Sequence, residues 1–428
     1  MASQIYSFIN AVTSQALGHS AVAQSNTEDF VSLGDQVLSN VESTSAFYSA
    51  LSTAIGRTYA LYRSLPEQRS GIMRTPLEFG AILRTIEIDK IASVKANASW
   101  DASASITETI LNDVTDAFCT YDSKRGTFEV DTKVVYDIQL REAFSDAQSM
   151  AAFVDMIFQD MYNGMEIAIR DLENTTIATG IALAAQYALT SKCCINLLHE
   201  YNVAYSAAKT SDTCLLDPSF LRFAAAQIKK HKKYMEDPNE LYNPAGCQRW
   251  TPSSDCEVQV LEEFASNCAT YLESDTFHNE MVKLPTYRER SFWQGIGDGS
   301  VAQRSKVMIQ RGASGSEVSH TVNGVVAYLF DREAIAVMVD FIRTKSDYKP
   351  RYEHTEYYHK CDWASLVRGT QQMIVFTIDD YYPVTVPAAD VTAWSTAYVN
   401  YYTKDESTGA YSAATSTYDA DTQYYKKS

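Results

Sequence analysis

Hydrophobic and polar residues alternate along residues 128–140. Most of the even-numbered positions in this stretch are apolar: Phe128, Val130, Val134, Tyr136, Ile138 and Leu140. An alternation with a period of two residues is typical of a β-strand that has one covered face. The pattern therefore predicts a long strand over 128–140.

The pattern changes to a helical period after Ser145. Apolar residues then recur at steps of three and four, at Met150, Phe153, Val154, Ile157, Phe158, Met161, Met165, Ala168 and Leu172. This spacing predicts a long helix whose apolar stripe, with Phe153, Ile157 and Met161, faces the core. We expect an N-cap at Ser145 and Asp146, a pause at Asn163–Gly164 and an end near Leu189. Neither element carries a catalytic constellation, so together they indicate a structural frame.

The sequence before this frame predicts an N-terminal arm followed by a long, two-limbed loop over 73–140. Residues 1–64 are rich in Ser, Ala and Thr, with apolar residues at helical spacing, and Pro66 ends the arm. Further elements are predicted as a strand over 82–91, a turn over 96–105, a helix over 106–118 and a turn over 121–127. The limbs of 73–140 could not bury themselves alone, so we expect this segment to make few contacts with its own chain and many with a neighbour.

The part of the chain after the frame is mixed α/β. A helix is predicted from Asp217–Pro218 to Tyr234, because proline is tolerated in the first helical turn. Strands are predicted at Val307–Gln310, Val325–Phe330, Ala334–Ile342, Glu353–His359 and Met373–Ile378, with a turn at 344–347. The last forty residues, rich in Ser, Thr, Ala and Tyr, are expected to form a tail.

Composition and charge narrow the classes of function. The chain has 428 residues, 46% of them hydrophobic, which is enough for a sizeable core. Its formal net charge of −17 argues against a free-standing nucleic-acid binder, though not against a protein that lies beside DNA. Eight cysteines without a Cys-x-x-Cys pair, and the absence of a signal-peptide pattern or a long apolar run, predict cytoplasmic synthesis, reduced thiols and no membrane span.

Candidate chemistry is sparse, and the sequence predicts no catalytic, cofactor or metal site. The loop Gly295–Gly299 is Gly-rich but lacks the full dinucleotide-binding spacing and a Walker lysine. His354 and His359 are five residues apart, which places them on opposite faces of a strand. Asp379–Asp380 is more often a solvated strand end than a metal pair.

Two features indicate assembly. The lysines around His231 (Lys229, Lys230, Lys232 and Lys233) complete a helix end, or form a patch that pairs with an acidic neighbouring subunit. The 28 tyrosines outnumber the 17 phenylalanines, and tyrosine is enriched at protein interfaces.

The order of the elements resembles the major capsid proteins of tailed bacteriophages with the Hong Kong type capsid fold, and most of all the head protein of small short-tailed phages. The segments that carry the resemblance are IMRTPLEFG (72–80), RTIEI (84–88), REAFSDAQSMAAFVDMIFQDMYNGMEI (141–167), AYLFDREAIAVMVDF (327–341) and KPRYEHTEYYHKCDWASLVRGTQQMIVFTI (349–378). The resemblance covers about residues 70–380. Only a tail follows it, so no immunoglobulin-like domain is expected at the C-terminus.

The resemblance implies an α+β fold with six divisions. These are an N-terminal arm (1–72), an extended β-loop (73–140), the spine helix with the first part of a peripheral domain (141–195), an axial domain (196–322), the returning strands of the peripheral domain (323–385) and a C-terminal tail (386–428). The candidate inter-subunit residues are Arg84, Glu87, Lys124, Arg125, Lys229, Lys230, Lys232 and Lys233.

The implied function is that of a non-enzymatic major capsid protein, which self-assembles into an icosahedral shell around double-stranded DNA. Its implied partners are other copies, as hexamers and pentamers, and scaffold, portal and head-decoration proteins. It would bind DNA without sequence specificity, contact no membrane, need no cofactor, and be assembled in the host cytoplasm into the virion. There are two alternatives. One is another virion structural protein, such as a portal or head-decoration protein, and the other is an α+β enzyme with a nucleotide site at Gly295–Gly299.

Charge adds one expectation about assembly. Copies that each carry a net charge of −17 repel one another, and salt relieves this repulsion. We therefore expect the basic clusters at 229–233 and 343–351 to meet acidic surfaces of neighbouring subunits rather than DNA.

Overall fold

The computed structural model describes Ala46 and residues 72–74, 84–88, 118–122, 124–136, 147–273, 284–294, 305–311 and 318–428. Almost all of the predicted N-terminal arm, the turn at 96–105, almost all of the predicted helix over 106–118 and the Gly295–Gly299 loop lie outside these residues. The architecture below is that of the described part of the chain, which mixes helices with sheets and confirms the predicted α+β class.

The helices are α1 (Ala147–Gln186), α2 (Leu197–Tyr205), α3 (Ser211–Cys214), α4 (Pro218–Met235), α5 (Glu262–Glu273), α6 (Ala388–Thr392) and α7 (Trp394–Ala397). The strands are β1 (Met73–Arg74), β2 (Arg84–Ile88), β3 (Phe118–Asp122), β4 (Lys124–Tyr136), β5 (Cys194–Asn196), β6 (Cys256–Leu261), β7 (Arg288–Arg290), β8 (Val307–Arg311), β9 (Val318–Val322), β10 (Val325–Asp331), β11 (Ile335–Lys349), β12 (His354–Val367), β13 (Met373–Thr377), β14 (Tyr381–Val384), β15 (Tyr402–Lys404), β16 (Tyr411–Ala413) and β17 (Tyr424–Lys427).

The predicted long helix is α1, which is continuous for 40 residues. The predicted pause at Asn163–Gly164 is wrong, because one interior glycine costs a helix only about 1 kcal/mol and packing can offset that cost. On the second half of α1 the buried residues recur at helical spacing: Met165, Ile169, Leu172, Ile177 and Ile181. The side chains of Phe153, Ile157 and Met161 lie outside the described residues, so their orientation stays a prediction.

A four-stranded sheet in the order β1-β11-β12-β4 contains the predicted long strand as β4. The predicted covered face is wrong at the end of β4, where Val134 and Tyr136 are exposed and Val135 is buried. Strand β4 pairs antiparallel with β12, from Tyr136 opposite His354 to Lys124 opposite Ser365. The expectation that 73–140 makes few contacts with its own chain is therefore wrong for β1 and β4, since β1 also pairs with β11. The predicted turns at 121–127 and 344–347 lie largely within strands, because partners more than 200 residues away or across a hairpin override local turn preferences.

A five-stranded sheet in the order β5-β13-β10-β6-β7 forms the centre of the molecule. Every residue of β10 and β13 is buried. One face packs against α1 and the other against α2, α4 and α5, so both faces are covered. This sheet joins strands from 196–322 with strands from 323–385, so the expected boundary at 322 falls between strands of one sheet.

The last residues form a folded unit rather than the expected tail. Strands β14, β17, β15 and β16 make a sheet, and Trp394, Tyr401 and Tyr424 form its small core with Ala414. The indole N–H of Trp394 donates to the Thr415 carbonyl oxygen at 3.0 Å. The aromatic side chains at the centre of this segment therefore bury one another, whereas Tyr352 and Tyr136 elsewhere in the chain are exposed. We refer to residues 381–428 as the C-terminal unit.

Gly324, between β9 and β10, is a position where the backbone conformation requires glycine. Its φ of +63° is in the left-handed region, and a Cβ there would lie 2.4 Å from the carbonyl oxygen of Ile378. We expect Gly324→Ala to lower the free energy of unfolding by about 1–3 kcal/mol or more, since backbone strain and a clash with main chain add together. Gly246→Ala is the matched control, with a φ of +68° and no atom within 4 Å of the added Cβ. Urea unfolding that gives equal losses for the two variants would contradict the role of the clash.

Candidate assembly surfaces

Helix α4 carries the predicted basic cluster. Asp217 caps its start by accepting from the Ser219 backbone N–H at 2.9 Å, as predicted from Asp217–Pro218. One face of α4 is buried, with Phe220, Leu221, Ala224, Ala225, Ile228, His231 and Met235. On the opposite face Lys229, Lys230 and Lys233 are exposed, whereas Lys232 is half-buried. We call the three exposed lysines the basic stripe.

The lysines of the basic stripe have different neighbours. Lys230 donates to the Gln227 Oε1 at 3.1 Å and lies 5.8 Å from the ring centre of Tyr234. Lys233 forms an ion pair with Glu236, which raises the pKa of Lys233. Within the described part of the chain, Lys229 has no carboxylate within 4 Å. The stripe can therefore offer at least one uncompensated positive charge to a partner.

His231, at the centre of the KKHKK segment, is a core residue. It is 5% exposed, and its Nδ1 lies 2.9 Å from the hydroxyl of Tyr242. Burial, with a smaller effect of Lys230 and Lys192, lowers the pKa of His231 to about 4. The ring is therefore neutral in the folded protein near neutral pH, and the positive charge of this segment comes from its lysines.

We expect His231 to make the folded protein sensitive to acid. Between about pH 6.5 and pH 4 the unfolded chain binds a proton at this histidine and the folded chain does not, so stability falls as the pH falls, by at most about 1.4 kcal/mol per pH unit. In His231→Gln this contribution is absent. The difference in unfolding free energy between the natural protein and the variant should shrink from pH 7 to pH 4 in urea titrations. A difference that does not change with pH would contradict this assignment.

The other four predicted inter-subunit residues lie on strands. Arg84 and Glu87 are in β2, which pairs with β3 in a separate two-stranded sheet. Lys124 and Arg125 begin β4, at the end where it pairs with Ser365 and Ala364. These four residues therefore lie on two different sheets, and none of them is on the helix that carries the basic stripe.

A hairpin tip presents aromatic side chains next to the end of the predicted basic cluster at 343–351. Strands β11 and β12 meet at 350–353, where Tyr352 is 62% exposed and stacks on His354 with ring centres 5.8 Å apart. The Arg351 guanidinium lies 5.7 Å from the Tyr352 ring centre. Tyr136, at the adjoining end of β4, is 49% exposed. We call this surface the ribbon tip; tyrosine and arginine are the residue types that most often anchor interfaces.

Part of the basic cluster at 343–351 is neutralised within the chain. Arg343 donates to both carboxylate oxygens of Asp362 at 2.9 Å. Lys349 forms an ion pair with Asp347. These two bases already have acidic partners, which does not fit the expectation that the whole cluster meets neighbouring subunits.

A cleft of about 750 Å³ is lined by residues of α1, α2, α4 and β5 on one side and by residues of the C-terminal unit on the other. The C-terminal unit is held there by polar contacts: Tyr411 donates to the Asp379 carboxylate at 2.7 Å, and Thr321 donates to the Glu406 carbonyl at 2.6 Å. Lys404 donates to the carbonyl oxygen of Thr321. Burial raises the pKa of Asp379 and lowers that of Lys404, as expected for charged groups that are partly withdrawn from water.

The residues weighed for catalysis have structural surroundings. Asp380 accepts from the backbone and hydroxyl of Ser211, at the start of α3, and Asp379 belongs to the joint of the C-terminal unit. His354 is partly exposed and His359 is buried, which confirms that they lie on opposite faces of β12. In the described residues no group of three metal-ligating side chains converges, and no helix is long and apolar enough to cross a membrane.

The family model described as Phi29-like phage major capsid protein matches residues 9–377. No curated protein matches the chain. Solved structures that are similar include the capsid of Staphylococcus phage Andhra (10% identity, 72% of this chain and 84% of that chain, TM-score 0.44) and that of the cyanophage P-SCSP1u (12% identity, 72% and 86%, TM-score 0.37). A chain in the structure of the head fiber and inner core protein gp22 of native bacteriophage P68 is similar at 8% identity (72% and 83%, TM-score 0.47).

Proposed function

Because the chain belongs to the Phi29-like phage major capsid protein family, we propose that it assembles with copies of itself into the icosahedral head shell of a tailed bacteriophage. The family match over residues 9–377 is the observation that carries the proposal. The chain is a structural protein of the virion. We further propose that the shell encloses double-stranded DNA without sequence-specific contacts, since a net charge of −17 would keep packaged DNA from adhering to its wall.

The basic stripe is the best supported of the proposed contacts between subunits. Lys229, Lys230 and Lys233 lie on one exposed helix face, and a shell of strongly acidic subunits needs local positive charge where copies meet. Lys232 contributes less, because it is half-buried. Arg84, Glu87, Lys124 and Arg125 remain proposed contacts, supported by their place on β2 and at the start of β4.

The ribbon tip is a second proposed contact. It presents Tyr352 and Arg351 between two strands of 15 and 14 residues, and Tyr136 at the adjoining end of β4. An aromatic tip that is half or more exposed leaves apolar area in water, and covering this area against another copy would release that water. The two surfaces lie on different elements, so each subunit could contact more than one neighbour, as a closed shell requires.

The remaining parts of the proposal concern organisation. We propose hexamers and pentamers as capsomers, formed in the host cytoplasm, with scaffold, portal and head-decoration proteins as further partners. We also keep the division into arm, extended loop, spine helix, axial and peripheral domains as a proposal. It is supported by the length of α1 and by the two separate large sheets. The boundary at 322 does not fit, because β10 and β13 belong to the sheet of the proposed axial strands.

Expression of the full chain tests the proposed function directly. We expect closed shells in electron micrographs and a size-exclusion peak near the void volume, with a shift towards free subunits when the salt concentration disrupts specific charge pairs. A monomer at high protein concentration, under all salt conditions, would count against self-assembly. A nucleotide-dependent rise in melting temperature would favour the enzyme alternative instead, because a specific ligand stabilises the folded state.

A further inference from the structure

Three apolar side chains form an exposed rim at the mouth of the cleft beside α4. Leu189, Tyr234 and Leu241 are 45%, 47% and 48% exposed, and all three line the same cleft. They come from the segment after α1, from α4 and from the loop after it. Large apolar side chains that remain half-exposed around one concavity are typical of a surface that a partner covers. We call these three residues the α4 rim.

The frame that holds the α4 rim is fixed by hydrogen bonds. The Lys192 backbone N–H donates to the Leu241 carbonyl oxygen at 2.8 Å, which joins the segment after α1 to the loop. The Asn239 side-chain amide donates to the Tyr234 carbonyl oxygen at 2.9 Å. A hydrogen bond between the His231 Nδ1 and the Tyr242 hydroxyl joins α4 to the same loop. A rim whose three segments are tied together loses little conformational entropy when a partner binds.

The charge around the α4 rim favours an acidic partner. Lys192 and Lys230 are both exposed and line the cleft. Burial raises the pKa of the nearby Glu200, and the two lysines offset part of this rise. Within the described residues no carboxylate lies within 4 Å of either ammonium group. The other charged residues that line the cleft, Glu200, Asp379, Lys404 and Glu406, are half-buried. The exposed charges of the lining are therefore both positive, in a chain whose net charge is −17.

We propose that the α4 rim is a docking site for an acidic and apolar surface segment of a second copy of this chain. The proposal rests on the proposed shell-forming function and extends the basic stripe, since Lys230 belongs to both surfaces. Charge complementarity selects the occupant: 53 acidic against 36 basic residues make acidic surface abundant on every copy. Nucleic acid fits less well, because phosphate groups would leave the apolar side chains of the rim uncovered.

Cysteine labelling in free subunits and in shells tests the proposal. In Leu241→Cys we expect the rate of reaction with a maleimide to fall at least tenfold on assembly. Cys193, Cys214, Cys247, Cys256, Cys268 and Cys361 are buried and Cys194 is half-buried, so these seven thiols contribute little background. The labelling rate of the natural chain is subtracted as the blank. Leu216→Cys is the control; this residue is 61% exposed and does not line the cleft.

Each outcome bears on the docking site. Labelling of Leu241→Cys at the same rate in free subunits and in shells would overturn the proposal, whether the rim is empty or serves another molecule. If Leu241→Cys folds but does not assemble, Leu189→Cys provides the same measurement. Failure of both rim variants to assemble, while Leu216→Cys forms shells, would support the proposal. Failure of the natural chain to form shells would instead count against the proposed function itself.

Discussion

Reversing the charge of the basic stripe should abolish shell assembly and leave the subunit folded. In the triple variant Lys229→Glu, Lys230→Glu and Lys233→Glu, three positive charges become negative on an exposed face of α4. If this face meets acidic surface on a neighbour, like-charge contacts replace attractive ones and cost several kcal/mol at each interface. Of the three lysines only Lys233 lies in the last turn of α4, so the lost interaction with the helix C-terminus costs the monomer only about 0.3–1 kcal/mol.

Light scattering measures the loss of assembly, and circular dichroism checks that the monomer remains folded. The matched control replaces the same three lysines with arginine, which keeps the charge and the exposed positions, and this variant should still form shells. Lys232 is left unchanged because it is half-buried, so its reversal would confuse assembly with folding. Shells that form normally but retain less DNA would show that the stripe binds nucleic acid rather than a neighbouring subunit.

Removing the buried side chain of Ile181 should give a large loss of stability. This residue of α1 is fully buried in the core between α1 and the central sheet, in the same cluster as Tyr328 and Ile335. We expect Ile181→Ala to lower the free energy of unfolding by about 2–5 kcal/mol, because the variant loses buried apolar surface and leaves a cavity. Urea unfolding measures this loss.

The same helix supplies the control for Ile181. Ile167 is 56% exposed, so Ile167→Ala should change the free energy of unfolding by no more than about 0.5 kcal/mol. The two substitutions remove the same atoms from the same kind of helix position, and only burial differs. Equal effects would mean that α1 does not present the Ile181 side to the core.

The candidate assembly surfaces could be predicted only in part from the sequence. The basic stripe was found from its composition, but the half-burial of Lys232 and the buried, neutral His231 depend on how α4 lies on the sheet. The α4 rim had no signal in the sequence, because its three members come from separate segments. Exposure is a property of the folded surface, and a single apolar residue in a sequence does not reveal whether it is covered.

The long strand and helix in the middle of the chain could be predicted from the sequence, because they depend on the periodicity of neighbouring residues, which local backbone geometry imposes. The capped start of α4 followed from Asp217–Pro218. The α+β class followed from the resemblance that the family match confirms. Three features required the folded chain: β4 pairs with β12, α1 continues through Asn163–Gly164, and the C-terminal unit folds around its own aromatic core. These outcomes depend on which distant surfaces bury each other, and long-range burial can override the local preferences that the sequence displays.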